Sequence, residues 1–514
     1  MVAQITANTL AQPDPLQDLL DEVLDLRERI LHGTEQQLSE LDTGAASKDN
    51  LSSIVNLLHY IAMRREDLRP LQGRLSNAGL SYPGPGEPHI LSRLDRIIDT
   101  LSRTVSHQPC CHDAFSNHSC IDDVDHILEE RSARLFDKPR NDRSSQIMVT
   151  MPTEAASDIE LLKDLVARGM DVARINCAHD DESVWQDTVH NIRQAAAFHG
   201  TTCRIFMEIG GNRMRTGKVV AGKDRSGKKH RKPPRVYSGD WLVLSKKRAR
   251  VDMFQRVFDV PVKAVVTCTC PDVIENLRRD EHVWIDDGRI CSVIRDKRRD
   301  MVLLQVDRTG PKGARIKETM GLNFPETRLS LPTFSDKDML DLRFVSRHAD
   351  MVGLSFIEQA DDVLFLREQL QDQGAADLPV IARIATSHAV QNLPDIISRA
   401  LAENIDLGIL IARDDLAAEI GSVRFAEIQQ EILWLCEAAH IPVIWATQVL
   451  ETLSRKGIVS RPEITDTTLS VHAQCVLLNN GPYIEHAVSI LSDVLQRMEA
   501  HRFSKFSRPG TLHW

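Results

Sequence analysis

The sequence predicts an α/β protein: a (β/α)8 TIM barrel with an inserted small β-barrel lid domain and an all-α N-terminal module. Three observations carry this prediction. From residue 147 onward, short and continuously apolar runs alternate with helical patterns, as buried parallel strands do. There are eight such runs, which favours a closed barrel over an open doubly wound sheet. One interval between them is too long to be a connection.

The first part of the chain is helical. In "PLQDLLDEVLDLRERILHG" (15–33), Leu16, Leu19, Leu20, Val23, Leu24, Leu26 and Ile30 recur mostly at three- and four-residue spacing, which marks an amphipathic helix expected to stop at Gly33. "NLSSIVNLLHYIAMRR" and "PHILSRLDRIIDTLSR" repeat the pattern, with the break "YPGPGEP" before the second. Residues 1–145 are read as one helical module with no visible chemistry.

The barrel strands are expected at "IMVTM" (147–151), "DVARI" (171–175), "CRIFME" (203–208), "DMVGLS" (350–355), "PVIARI" (379–384), "LGILIA" (407–412), "PVIWAT" (442–447) and "CVLLN" (475–479). About 140 residues separate the third from the fourth, far beyond an ordinary βα connection. Inside that interval "DWLVLSKK", "KAVVTCTC", "HVWIDDGRICSVIRD" and "MVLLQVDRTG" read as strands. The boundaries expected are therefore 1–145 for the helical module, 146–217 with 320–503 for the barrel, 218–319 for the lid, and 504–514 for a tail.

Composition narrows the function classes. The chain has 514 residues and a formal net charge of −10, so no general affinity for nucleic acid is expected. No apolar run is long enough to span a bilayer, and the N-terminus lacks the basic and apolar blocks of a signal peptide, which points to the cytoplasm. The ten cysteines are scattered, and Cys203, Cys436 and Cys475 sit inside apolar runs as buried free thiols. "CCHDAFSNHSC" holds zinc-capable residues but lacks a paired C-x2-C knuckle. The basic run "KDRSGKKHRKPPR" (223–235) reads first as a solvated hairpin tip, second as a phosphate-facing lid and third as an RNA-binding segment, since no aromatic residues interleave it.

Barrel chemistry gathers at the carboxyl ends of the strands. There the chain offers Arg174, Asn176 and His179 after the second strand, Glu208 after the third, Ser355 after the fourth and Arg383 at the end of the fifth. Asp415 follows the sixth strand, Thr447 the seventh, and Asn479 and Asn480 the eighth. Each alone reads as structural, but together with Arg215 they suit a phosphorylated, anionic substrate, with at least one carboxylate for a metal.

The motif series "GMDVARINCAHDD", "RMRTG", "IDDG", "GLNFPETRLSLPTFSDKDMLDLRF", "VGLSFIEQADDV", "IARDDLAAEI" and "PVIWATQVLET" resembles, in order, that of the pyruvate kinase family over residues 147–500. The resemblance implies phosphoryl transfer from phosphoenolpyruvate to ADP. It sets Arg383 where the family has a lysine on the transferring phosphoryl, Thr447 where a threonine serves proton delivery, and Arg174 and Arg215 where arginines contact phosphate. Asn176 and His179 match residues on the nucleotide and monovalent-ion side, with Arg215 grouped there as nucleotide-binding, and Ser355, Asp414 and Asp415 line the substrate together with Arg174 and Thr447. For Mg2+ or Mn2+ the family uses a glutamate and an aspartate. The aspartate is Asp415, but the glutamate position is Ala385, so a weakened metal site is expected, with Glu208 as the other acidic candidate.

Potassium ligands of the family appear as Ala178 and Ile209, and Arg213 stands where potassium-independent members carry a lysine, so no potassium requirement is expected. The resemblance stops soon after the eighth helix, so the C-terminal regulatory domain of typical members and its sugar-phosphate site are expected to be absent. The expected partners are phosphoenolpyruvate and ADP or ATP, with no membrane or nucleic acid, and homo-oligomerisation left open. Two alternatives stand beside this reading: a catalytically impaired homologue acting as a binding or regulatory protein, and a barrel enzyme doing other enolate chemistry.

Overall fold

A computed structural model describes residues 15–84, 86–106, 121–138, 140, 143–211, 214–222, 233–286, 288–327 and 334–502. Arg213, the cysteine–histidine stretch 110–120, most of the basic run and the tail lie outside the described residues. The barrel strands are β1 (Gln146–Thr150), β2 (Val172–Asn176), β3 (Arg204–Ile209), β4 (Met351–Leu354), β5 (Val380–Ile384), β6 (Leu407–Ala412), β7 (Val443–Ala446) and β8 (Cys475–Leu478). All eight runs seen in the sequence form strands, and they close in chain order, β8 pairing with β1 through Gln146–Cys475. Every barrel pairing is parallel, so both faces are covered, which is why the strands read as unbroken apolar runs.

Alternation along each strand divides the apolar side chains into two layers. Met148, Val172, Phe206, Met351, Ile381, Leu410, Ile444 and Cys475 fill the barrel interior. Ile147, Ala173, Ile205, Val352, Val380, Ile409, Val443 and Val476 pack outward under the helices. Two interior positions require glycine because the space beside them is taken. A Cβ on Gly353 would lie 2.5 Å from the Phe206 ring, and one on Gly408 would lie 2.7 Å from both Ile381 and Leu135.

Leu135 comes from the N-terminal module. That module comprises α1 (Pro15–Ser39), α2 (Lys48–Arg64), α3 (Arg69–Asn77), α4 (Ile90–Ser106) and α5 (Ile121–Phe136). The predicted stripe of α1 is buried at Leu19, Leu20, Val23, Leu26 and Ile30, against Tyr60, Leu71, Ile90 and Leu94, whereas Leu24 faces out and the helix continues through Gly33 to Ser39. Helix α2 is the seam: Tyr60 and Met63 face the module, while Ile54, Leu57 and Leu58 join the barrel's outer layer. The last two residues of α5, Leu135 and Phe136, enter the N-terminal mouth of the barrel and pack with Met148, Val172 and Phe206. Polar contacts fix the same junction. The Arg131 guanidinium donates to the carbonyls of Ala439 and His440 at 3.0 and 2.9 Å, and Asn56 Nδ2 donates to Ala438 at 2.8 Å.

The inserted segment forms its own antiparallel-rich sheet of seven strands, reaching from Thr216–Ala221 to Leu322–Asn323. Its sheet thus extends a few residues beyond the interval 218–319, and Met214, Leu322 and Phe324 belong to its separate core. The sheet curls until its two edges meet in the Arg215–Gly321 bridge. Among the described residues no helix is long and apolar enough to cross a membrane.

Candidate active site

Strands β2, β3 and β5 each point a charged side chain inward near their carboxyl ends, continuing the interior layer that Val172, Phe206 and Ile381 begin two residues earlier. These are Arg174, Glu208 and Arg383. A buried charge must be paired or it costs several kcal/mol, so their mutual placement is obligatory rather than incidental.

Glu208 is the hub. Arg174 donates to its Oε2 from Nε at 2.7 Å and from Nη2 at 2.6 Å, while Arg174 Nη1 donates to Thr150 Oγ1 at 2.9 Å. The other oxygen, Oε1, accepts from Ser355 Oγ at 2.6 Å and from Arg383 Nη1 at 3.2 Å. Burial pushes the Glu208 carboxyl up, but Arg174, Arg383 and the Ser355 hydroxyl outweigh it and hold it down at about 2.

Arg383 carries the network across the barrel. Its Nη2 reaches Asp415 Oδ2 at 2.5 Å and stands 4.0 Å from Asp414 Oδ1. Burial works against the charge on this guanidinium, but Asp415, Glu208 and Asp414 raise its pKa above the ordinary value. The arginine fork therefore bridges a carboxylate from β3 to one in the first turn of the helix Arg413–Ile420.

Thr447 joins from the end of β7. Its Oγ accepts from the Asp414 N–H at 3.1 Å and donates to Asp414 Oδ1 at 3.0 Å. Thr447 has φ 64° and Gln448 φ 56°, a left-handed backbone that a β-branched residue adopts at a cost of order 1–3 kcal/mol. Arg413, which the sequence reading passed over, supports this bend. Its guanidinium stacks 4.5 Å from the Trp445 ring, donates to the Thr447 carbonyl at 3.3 Å and pairs with Asp466 at 2.6 Å.

The structure thus brings together Arg174, Glu208, Ser355, Arg383, Asp414, Asp415 and Thr447. Asn176, His179 and Arg215 make other contacts. Asn176 turns back to accept from the Ala178 N–H at 3.0 Å, and His179 is exposed. Arg215 stands at the base of the lid, where its Nη1 donates to the Thr319 carbonyl at 3.0 Å.

The residues do not fit a resident divalent cation. Ala385 is fully buried in the interior layer with Ala412 and Ala446, and it offers no oxygen. Asp415 bonds Arg383, and both oxygens of Glu208 are engaged. Among the described residues no three His, Cys, Asp or Glu side chains gather as a metal centre. Asp415 and Glu208, the residues expected to hold a weakened Mg2+ or Mn2+ site, are both engaged in the ion-pair network.

A second acidic group borders the site. Glu419, one turn after Asp415, accepts from Asn323 Nδ2 of the lid at 3.3 Å. Burial holds its carboxyl up at about 7; Asn323 opposes this, and the nearby Glu358, Asp415 and Glu326 add to it. A raised carboxyl binds a proton in the folded state that the unfolded chain has already lost. Stability should therefore fall as pH rises from the ordinary value of 4.5 and level off above about 7. Glu419→Gln should remove up to about 3 kcal/mol of this pH dependence, read as a flatter profile of melting temperature across that window. An unchanged profile would contradict the assignment.

The model of the family described as pyruvate kinase, barrel domain, matches residues 142–482. The chain is 29% identical to the pyruvate kinase of Leishmania mexicana over 367 residues, covering 70% of this chain and 68% of that one. It is 27% identical to pyruvate kinase PKLR of Rattus norvegicus over 419 residues (78% and 66%), and 26% identical to the pyruvate kinase of Staphylococcus saprophyticus over 368 residues (70% and 57%). A crystal structure of a pyruvate kinase from Cryptosporidium parvum shares the fold, with a TM-score of 0.59 and 24% identity over 72% of this chain and 70% of that one. A closed eight-stranded barrel, a lid between its third and fourth strands and a family match over most of the barrel agree: the chain belongs to the pyruvate kinase family.

Proposed function

We propose that the barrel mouth transfers the phosphoryl group of phosphoenolpyruvate to ADP, giving pyruvate and ATP in the cytoplasm. The observation that carries this reading is the convergence of Arg174, Arg383 and Thr447 on one end of a barrel of this family. Arg174 and Arg383 supply fixed positive charge where the phosphoryl oxygens and the enolate would gain negative charge. The bond from phosphorus to the enol oxygen breaks, a β-phosphate oxygen of ADP takes the phosphorus, and the enolate left behind is protonated on its methylene carbon. Thr447 is the candidate to position that proton, because its hydroxyl is already held in a hydrogen-bonded relay with Asp414. Ser355, Asp414 and Asp415 border the substrate, and Asn176, His179 and Arg215 are assigned to the nucleotide side.

The test is pyruvate formation from phosphoenolpyruvate and ADP by the whole chain. Thr447→Val should lower kcat by about 10²-fold or more and slow solvent exchange of the pyruvate methyl protons, with little change in KM. A parent protein that binds phosphoenolpyruvate but never turns it over would replace this reading with that of a binding protein. One observation favours that second reading: Arg383 already bonds two carboxylates, and Asp414 places a third at the helix start.

Turnover should be equal in potassium and sodium salts. Ala178 and Ile209 offer no side-chain oxygen, and the Glu208 oxygens are occupied by Arg174, Ser355 and Arg383. Strong activation by potassium would count against this.

A further inference from the structure

We infer that Arg383 takes the place of a divalent cation at the enolpyruvate end of the site, so that phosphoenolpyruvate is bound by guanidinium groups without a resident metal. The inference rests on the reading of this mouth as a phosphoenolpyruvate site.

A cation held by protein carboxylates is needed where two acids face each other and something positive must stand between them. Here the Arg383 guanidinium is that positive group, bonded to Glu208 on one side and to Asp415 on the other. An arginine is suited to the task because it stays charged at every accessible pH and presents five donors in a planar fork. A lysine at this position would offer a compact point charge and leave space beside it; the broader guanidinium spans both acids at once. The rest of the site follows the same logic. Ala385, two residues further along and on the same face, has no side-chain oxygen to offer an ion and fills the space with a methyl group packed against the interior layer. Arg174 fixes the far side of Glu208 with two donors, so that carboxylate has no oxygen left to offer an ion.

The carboxylate and phosphoryl oxygens of the substrate would then meet Arg383 and Arg174 directly, competing with Asp415 for the Arg383 fork. ADP enters with whatever cation it carries as substrate, and that ion is outside the inference. The consequence is unusual for Asp415. In a metal site it would be a ligand whose loss abolishes binding, whereas here it is a rival anion whose loss frees the fork.

The experiment is calorimetric titration of the intact protein with phosphoenolpyruvate, without nucleotide, in chelator and again with Mg2+ or Mn2+. It is paired with electron paramagnetic resonance of Mn2+ added alone. The dissociation constant should agree within about twofold between the two media. Mn2+ alone should stay free in solution, and Asp415→Asn, with the Arg383 fork freed, should bind phosphoenolpyruvate in chelator more tightly than the parent. A gain of about tenfold or more on adding the metal would overturn the inference while leaving the phosphoenolpyruvate reading intact. So would one equivalent of tightly held Mn2+, or unchanged or lost binding in a folded Asp415→Asn. Absence of phosphoenolpyruvate binding in both media would overturn the reading and the inference together.

Discussion

Arg383→Met should lower the stability of the barrel by about 3–5 kcal/mol and abolish turnover, the cost expected when one partner of a buried ion pair is removed. The side chain is 13% exposed, Glu208 2% and Asp415 3%, so water cannot take over its role. Methionine fills much of the same volume, which separates loss of charge from loss of packing. Glu208 would keep Arg174 and Ser355, but the charge that links β3 to the helix Arg413–Ile420 would be gone. A double-mutant cycle with Glu208→Gln isolates this term. If the two carboxylates depend on the guanidinium, the second substitution should cost markedly less in the methionine background than in the parent. Arg383→Lys should recover part of the stability through charge alone, without the two-sided fork. Denaturant unfolding of the four variants decides the matter, and additive costs would show that the network contributes no cooperativity.

Phe136→Ala should cost about 3–5 kcal/mol, as truncation of a large buried aromatic does. The effect is notable because Phe136 ends a module in which the sequence shows no chemistry. Phe136 is 1% exposed and Leu135 is 1% exposed, and both pack into the N-terminal end of the barrel, at the opposite end from the arginine network. Their loss would open a cavity lined by residues of several strands, and the closed barrel cannot collapse into it without breaking its pairing. Thermal unfolding of the intact chain tests this, with phosphoenolpyruvate binding to the folded variant as the control. A cost below about 1 kcal/mol would show that the barrel bottom repacks without the plug.

The barrel was legible because a buried parallel strand leaves a strong local record. "LGILIA" and "CVLLN" have no polar alternation to confuse, and the helices between them end in recognisable signals. The candidate site was partly legible for a related reason: charges at the ends of apolar runs stand out. The sequence placed Arg174, Glu208, Ser355, Arg383, Asp415 and Thr447 at strand ends, and the fold sets these six, together with Asp414, in one bonded network. Helix α2 was legible only in half. Its stripe toward Tyr60 and Met63 reads as a simple amphipathic face, but Ile54, Leu57 and Leu58 face the barrel's outer helices, and no local period reveals a second partner.

What the sequence determined by itself is the element order, the count of eight strands and the inserted lid. Each is a property of residue type and local period, fixed before any chain contact forms. What only the tertiary structure decided is how charges and surfaces far apart in the chain are paired. Arg383 meets Glu208 across 175 positions and Asp415 across 32. Nothing in "PVIARIATS" specifies whether its arginine faces a substrate, a metal or two carboxylates. Likewise Leu135 and Phe136 read as the end of one more helix until the barrel closes around them. Pairing of this kind depends on three-dimensional proximity, and proximity across a closed barrel is set by all eight strands together rather than by any one segment.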